Sequence, residues 1–163
     1  MKRIFKLLSL LIITSIVFVF ISCNDEENYP SEGYFKIGDY VYSVNEATLE
    51  DVGYEEWTKL YQMRLKMVNT NHSEPRSINV LFYTDVNTYL PSAEYTPYLM
   101  DENYKDKFKR GAWEIDGEEG GVFLSGKIKS SKSNDIYKIT IDCKDINGIS
   151  VTGVYDGEIR VIE

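Results

Sequence analysis

The chain predicts an all-β domain of about nine or ten short strands, an antiparallel sandwich or a calycin-like barrel, preceded by a signal-peptide helix. Three observations carry that expectation. Apolar and polar residues alternate with period two over most of the chain, as half-buried strands do. Gly, Asn and Asp turn signals punctuate those runs at short intervals. The 13 tyrosines, seven phenylalanines and two tryptophans, set against few alanines, favour sheet over helix. Alternation does not choose between sandwich and barrel.

Taken in order, Tyr34–Ile37 and Tyr40–Val44 read as a hairpin, with Gly38-Asp39 as its turn. Asn45 to Glu56 reads as irregular and acidic. Trp57 to Val68 fits a helical stripe through Trp57, Leu60, Tyr61, Leu65 and Val68. The cleaner alternation of Tyr61, Met63, Leu65 and Met67 with Gln62, Arg64 and Lys66 makes it a strand. Ser77 to Thr84 is a strand with Ile78, Val80 and Phe82 on one face and Leu81 and Tyr83 on the other, so both faces are partly covered. Glu94 to Leu99 is a short strand. Pro97 has no N–H for a ladder, which places it at a sheet edge. Met100 to Arg110 reads as charged loop or one helical turn, and Ala112 to Ile115 as a short strand. From Asp135 to Glu163 a three-stranded antiparallel meander is expected, with Asn147-Gly148 and Asp156-Gly157 as its turns.

The first 23 residues have a different grammar. Lys2, Arg3 and Lys6 precede an apolar run from Leu7 to Ile21, and Ser22-Cys23 follows. A positive start, a short apolar core and a small residue before a cleavage point mark a secretory signal. With cysteine next, the stretch resembles a bacterial lipoprotein signal, although Phe20 stands where leucine is usual. The resemblance implies cleavage after Ser22 and acylation of the Cys23 thiol, so the membrane is a partner through acyl chains. An uncleaved span is the other reading; it would want ~20 apolar residues, and no basic cluster follows this run. The organisation is then residues 1–22 as signal, 23–33 as an acidic flexible tether and 34–163 as one β domain.

Removing the signal leaves 141 of the 163 residues and lowers Lys+Arg from 18 to 15 against 26 Asp+Glu, a net charge of −11. That balance argues against nucleic acid, which needs a basic face. With Cys23 acylated, Cys143 is the remaining thiol, and its place on the apolar face of Tyr137, Ile139 and Ile141 makes it a small hydrophobe rather than a nucleophile. His72, the one histidine, lies in a polar loop and leaves little room for a triad or a histidine metal site. The acids Asp116, Glu118, Glu119, Asp142 and Asp145 lack calcium-loop spacing and read as solvated turns. No cofactor, metal site or catalytic set is expected, so the chain reads as a non-enzyme. The rings of Tyr89, Tyr95, Tyr98, Tyr104, Phe108 and Trp113, among Lys105, Lys107, Lys109 and Arg110, form the candidate surface for a glycan or an envelope protein.

Ser125-Gly126, Tyr137-Lys138-Ile139-Thr140-Ile141 and Thr152-Gly153-Val154-Tyr155-Asp156-Gly157, with Leu90-Pro91 upstream, resemble a pattern of small Bacteroidota surface lipoproteins. Ala93 replaces the glycine of that pattern. The run Cys23-Asn24-Asp25-Glu26-Glu27 is similar to their export signal. The resemblance covers the last half of the chain and its amino end. It implies an all-β domain held at the outer-membrane surface and brings no catalytic residues. The function expected is binding or scaffolding at the cell envelope. A carrier of a small apolar ligand is the alternative, and a carboxylate-dependent hydrolase comes third.

Overall fold

The computed structural model describes residues 33–71, 73–99 and 103–162. The signal, Cys23, most of the tether and His72 lie outside them. Eleven strands form one continuous, curled open sheet, a half-barrel. They are β1 Gly33–Ile37, β2 Tyr40–Ser43, β3 Glu46–Glu55, β4 Leu60–Asn69, β5 Arg76–Thr84, β6 Ala93–Pro97, β7 Lys107–Ile115, β8 Glu118–Ser133, β9 Ile136–Asp145, β10 Ser150–Glu158 and β11 Arg160–Ile162. The spatial order is β11-β3-β4-β5-β7-β6-β8-β9-β10-β1-β2, with β7 also pairing to β8.

The 16-residue β8 makes the curl possible. Its first half pairs with β7 and its second with β9, so one strand serves both halves of the sheet. It bends where the register slips between Phe123 and Ser125. Gly126 follows at φ 113°, where a Cβ would lie 2.2 Å from the Asp142 carbonyl oxygen; no larger residue fits this crossing. The inward positions fill the space enclosed by the curl: Phe35, Leu49, Leu65, Val80, Phe82 and Ile139 are fully buried.

At one corner β2 runs almost directly into β3. Asn69 Nδ2 donates to the Ser43 carbonyl at 2.7 Å, and the Asn45 N–H donates to the Val68 carbonyl at 2.8 Å. These bonds satisfy backbone groups that the bend takes out of the ladder.

Several elements depart from expectation. Asn45–Glu56 is mostly strand β3. Its alternation is hidden because a bulge between Asp51 and Gly53 changes its phase, and the Asp51 carboxylate accepts the Gly53 N–H at 2.9 Å. β6 is not an edge strand. It is wedged between β7, to which it is parallel, and β8, with Pro97 as its last residue, where a missing N–H matters least. The loop before β7 ends at Asp106, because Phe108 is an inward anchor of the strand. The final meander is only two strands long: β9 and β10 pair, but β11 crosses over to lie parallel to β3. Asn147-Gly148 makes its turn, whereas Asp156-Gly157 lies within β10, opposite Lys138 and Tyr137.

Candidate functional site

The turn from β3 to β4 lifts Trp57 out of the surface. Thr58 Oγ1 and the Lys59 N–H both donate to the Glu55 carbonyl, and Lys59 takes φ 61°, a left-handed conformation that closes the turn. Trp57 is 61% exposed at its tip. The indole meets Tyr104 edge-on at 4.8 Å, and Tyr104 stacks obliquely on Tyr98 at 4.6 Å. The Tyr98 hydroxyl donates to that of Tyr104 at 2.8 Å. Beneath them lies Tyr83, 5.4 Å from Tyr104 and 6.3 Å from Tyr98, both nearly perpendicular. Four rings thus form a ledge on the outer face of the sheet, at the end of β5 and the start of β7. Such edge-to-face contacts add about 0.5–1.5 kcal/mol each beyond buried area.

Glu55 braces the ledge from below. Its Oε1 accepts from Lys109 Nζ at 2.8 Å and Gln62 Nε2 at 2.7 Å, while its buried Oε2 meets no donor among the described residues. Burial works to raise the pKa of this carboxyl, but the hydrogen bond and charge of Lys109, with help from Trp57 and Thr58, hold it below its ordinary 4.5. The Lys109 ammonium also lies over the Tyr83 ring, 5.8 Å from its centre. Tyr83 is pushed well above its ordinary 10.0, by burial first and then by the Glu55 charge, so it stays a neutral phenol.

Of the six rings expected to make one surface, only Tyr98 and Tyr104 join the ledge. Tyr95 and Phe108 are buried: both point inward and pack against Phe82, at 4.7 and 6.5 Å. Tyr89 is 40% exposed beside Lys132, and its only described cation contact is that ammonium at 6.0 Å. Trp113 is half-buried in another part of the sheet, its Nε1 donating to Asp145 Oδ2 at 3.1 Å. Alternation sends neighbours in sequence to opposite faces, which is why a cluster in the sequence is not one in space. Trp57 and Tyr83 replace the missing rings. Tyr83 had a signal in the sequence, since the outward Leu81 and Tyr83 are too apolar for a solvated face; Trp57 had none.

Three of the four cations of the expected positive rim are paired with carboxylates. Lys105 pairs with Asp85 at 3.9 Å, Lys109 with Glu55, and Arg110 with Glu119, while Lys107 Nζ donates to Thr96 Oγ1 at 2.9 Å. Adjoining Tyr83 is a polar hollow of about 400 Å³ lined by Thr84, Asp85, Ser92, Glu94, Lys105 and Asp106. The Glu94 carboxyl is held below its ordinary value, chiefly by a hydrogen bond from Lys129.

The acids expected in solvated turns divide. Asp142 is exposed, but Asp145 is 2% exposed and staples the β9–β10 turn. Its Oδ1 accepts the N–H groups of Asn147 and Ile149 at 2.9 and 2.8 Å. Cys143 is buried as expected, with its thiol pushed up to about 12 by burial and then by the Asp142 charge. No family model, curated protein or solved structure matches the chain.

Proposed function

We propose that the chain is a lipid-anchored protein of the cell envelope, held at the outer-membrane surface through acyl chains on Cys23, that binds glycan on its aromatic ledge and performs no chemistry. The observation that carries the binding role is Trp57, 61% exposed on a closed turn and backed by three tyrosines. Holding so large an apolar ring in water costs hydration free energy unless something covers it. A sugar presents an apolar face of C–H groups to such a ring and hydroxyls to the polar groups beside it. The 400 Å³ hollow supplies those groups next to the ledge. The paired lysines favour a neutral glycan over a polyanion. The lowered Glu94 carboxyl is the reverse of what a general acid needs, which favours binding over hydrolysis. The carrier alternative needs room inside the sheet, where Phe35, Leu65, Phe82 and their neighbours already lie.

The test is titration of the full chain with a panel of neutral oligosaccharides, read by tryptophan fluorescence. Saturable quenching that Trp57→Ala abolishes is expected; no response to any of the panel would overturn the glycan role. The anchor is tested separately, by mass spectrometry of the amino-terminal peptide from native membranes. An acylated Cys23 is expected, and a bare cysteine or a retained signal would refute it.

A further inference from the structure

A second surface lies away from the ledge, on β2. The Val44 N–H donates to the Gly33 carbonyl at 2.9 Å, which fixes which β1–β2 pairs are bonded. By alternation, Phe35/Tyr42 and Ile37/Tyr40 are bonded pairs, while Tyr34/Ser43 and Lys36/Val41 are not. Residues of the second kind turn their backbone groups away from their partner strand. On β1 those groups meet β10. On β2 they face the open edge. Ser43 has given its carbonyl to Asn69. Val41 keeps both N–H and C=O on that edge, without a partner strand among the described residues.

The edge also lacks the usual guards. Tyr40–Ser43 contains no lysine, no proline and no bulge, and Tyr40 and Val41 are 73% and 43% exposed. Beside it, between β2 and the ends of β5 and β7, opens an apolar hollow of about 530 Å³. Tyr40, Tyr42, Trp113, Ile115 and Ile149 line it, with Arg76 and Asp39 of opposite charge among the lining residues. An unpaired backbone edge next to an apolar hollow calls for two things in one ligand: an extended backbone and an apolar side chain.

We propose that β2 is a docking edge, taking an extended segment of a partner polypeptide as a further antiparallel strand while an apolar side chain of that segment enters the hollow. The partner residue opposite Val41 exchanges both backbone bonds with it and shares its face. That residue's neighbours then lie on the face of Tyr40 and Tyr42 and point to the hollow.

The probe is a fluorescein-labelled peptide, acetyl-Lys-Thr-Ile-Thr-Ile-Thr-Lys-amide, followed by anisotropy on the full chain in mild detergent. N-methylation of its threonine amides removes the bonds to β2 and is expected to weaken binding about tenfold, whereas N-methylation of the isoleucines, whose amides point away, changes it less than about threefold. These peptides leave the protein's folding untouched. Val41→Pro and Ile149→Ser are each expected to weaken binding about tenfold as well. Absence of binding, or equal loss with both N-methyl peptides, would overturn the proposal. So would a sedimenting dimer that Val41→Pro dissociates, since a second copy would then occupy the edge. Glycan binding at Trp57 is read separately, so either assignment can fail alone.

Discussion

Along β9 every second residue is buried, from Tyr137 to Asp145, and Lys138, Asp142 and Lys144 between them are exposed. Along β5 the inward Ile78, Val80 and Phe82 are buried, yet the outward Tyr83 is buried too, at 1% exposed. One strand has a core on one side and water on the other. The other is covered on both sides, because the β3–β4 turn and the segment after β6 lay Trp57, Tyr98 and Tyr104 over it. A sheet face becomes a candidate binding surface in this chain where a second layer of rings has been added and left partly open.

That contrast can be broken most directly by removing the outer ring. Tyr83→Ala is expected to cost about 3–4 kcal/mol, the range of an inward aromatic, while Lys138→Ala on the outside of β9 costs less than about 0.5. Urea denaturation measures both; a Tyr83→Ala cost under about 1 kcal/mol would mean the second layer adds no stability. Two glycines sharpen the same comparison. Gly126→Ala, at φ 113° and against the Asp142 backbone, is expected to cost about 2–4 kcal/mol. Gly53→Ala, at φ 122° with nothing within 4 Å, meets only the conformational penalty, about 1 kcal/mol.

Smaller still is Glu55→Gln, expected to cost about 1 kcal/mol near neutral pH. Because the folded carboxyl has its pKa lowered below 4.5, its contribution is full above that value and fades as pH falls through the folded pKa. The stabilities of wild type and Glu55→Gln should therefore converge in acid; a gap independent of pH would remove the Lys109 bridge as its cause. The smallest expected signal belongs to Cys143. With its thiol pushed up to about 12, it should resist iodoacetamide at neutral pH in the folded chain and react only after unfolding. Prompt labelling of the folded chain would show that the inner face of β9 opens.

The β9–β10 hairpin was legible because its residues obey period two without interruption and its turn carries Asn147-Gly148, with Gly148 at φ 80°. The covered strand β5 was half legible, since Leu81 and Tyr83 stood out on its second face. β3 was not, because its bulge shifts the phase and its outward positions are acidic. The ledge was visible only in Tyr98 and Tyr104. Trp57 reaches them from a turn more than forty residues earlier, and no local period reports that approach. Nor does period two reveal β11, whose partner β3 lies more than a hundred positions away.

Those last pairings reach beyond architecture. β1 finds β10 and β3 finds β11 only across more than a hundred intervening residues. Long-range closure of this kind makes folding slow. A growing chain can pair β1 with β2 and β3 with β4 early, but the other edge of β1 and of β3 stays open until those distant partners have been made.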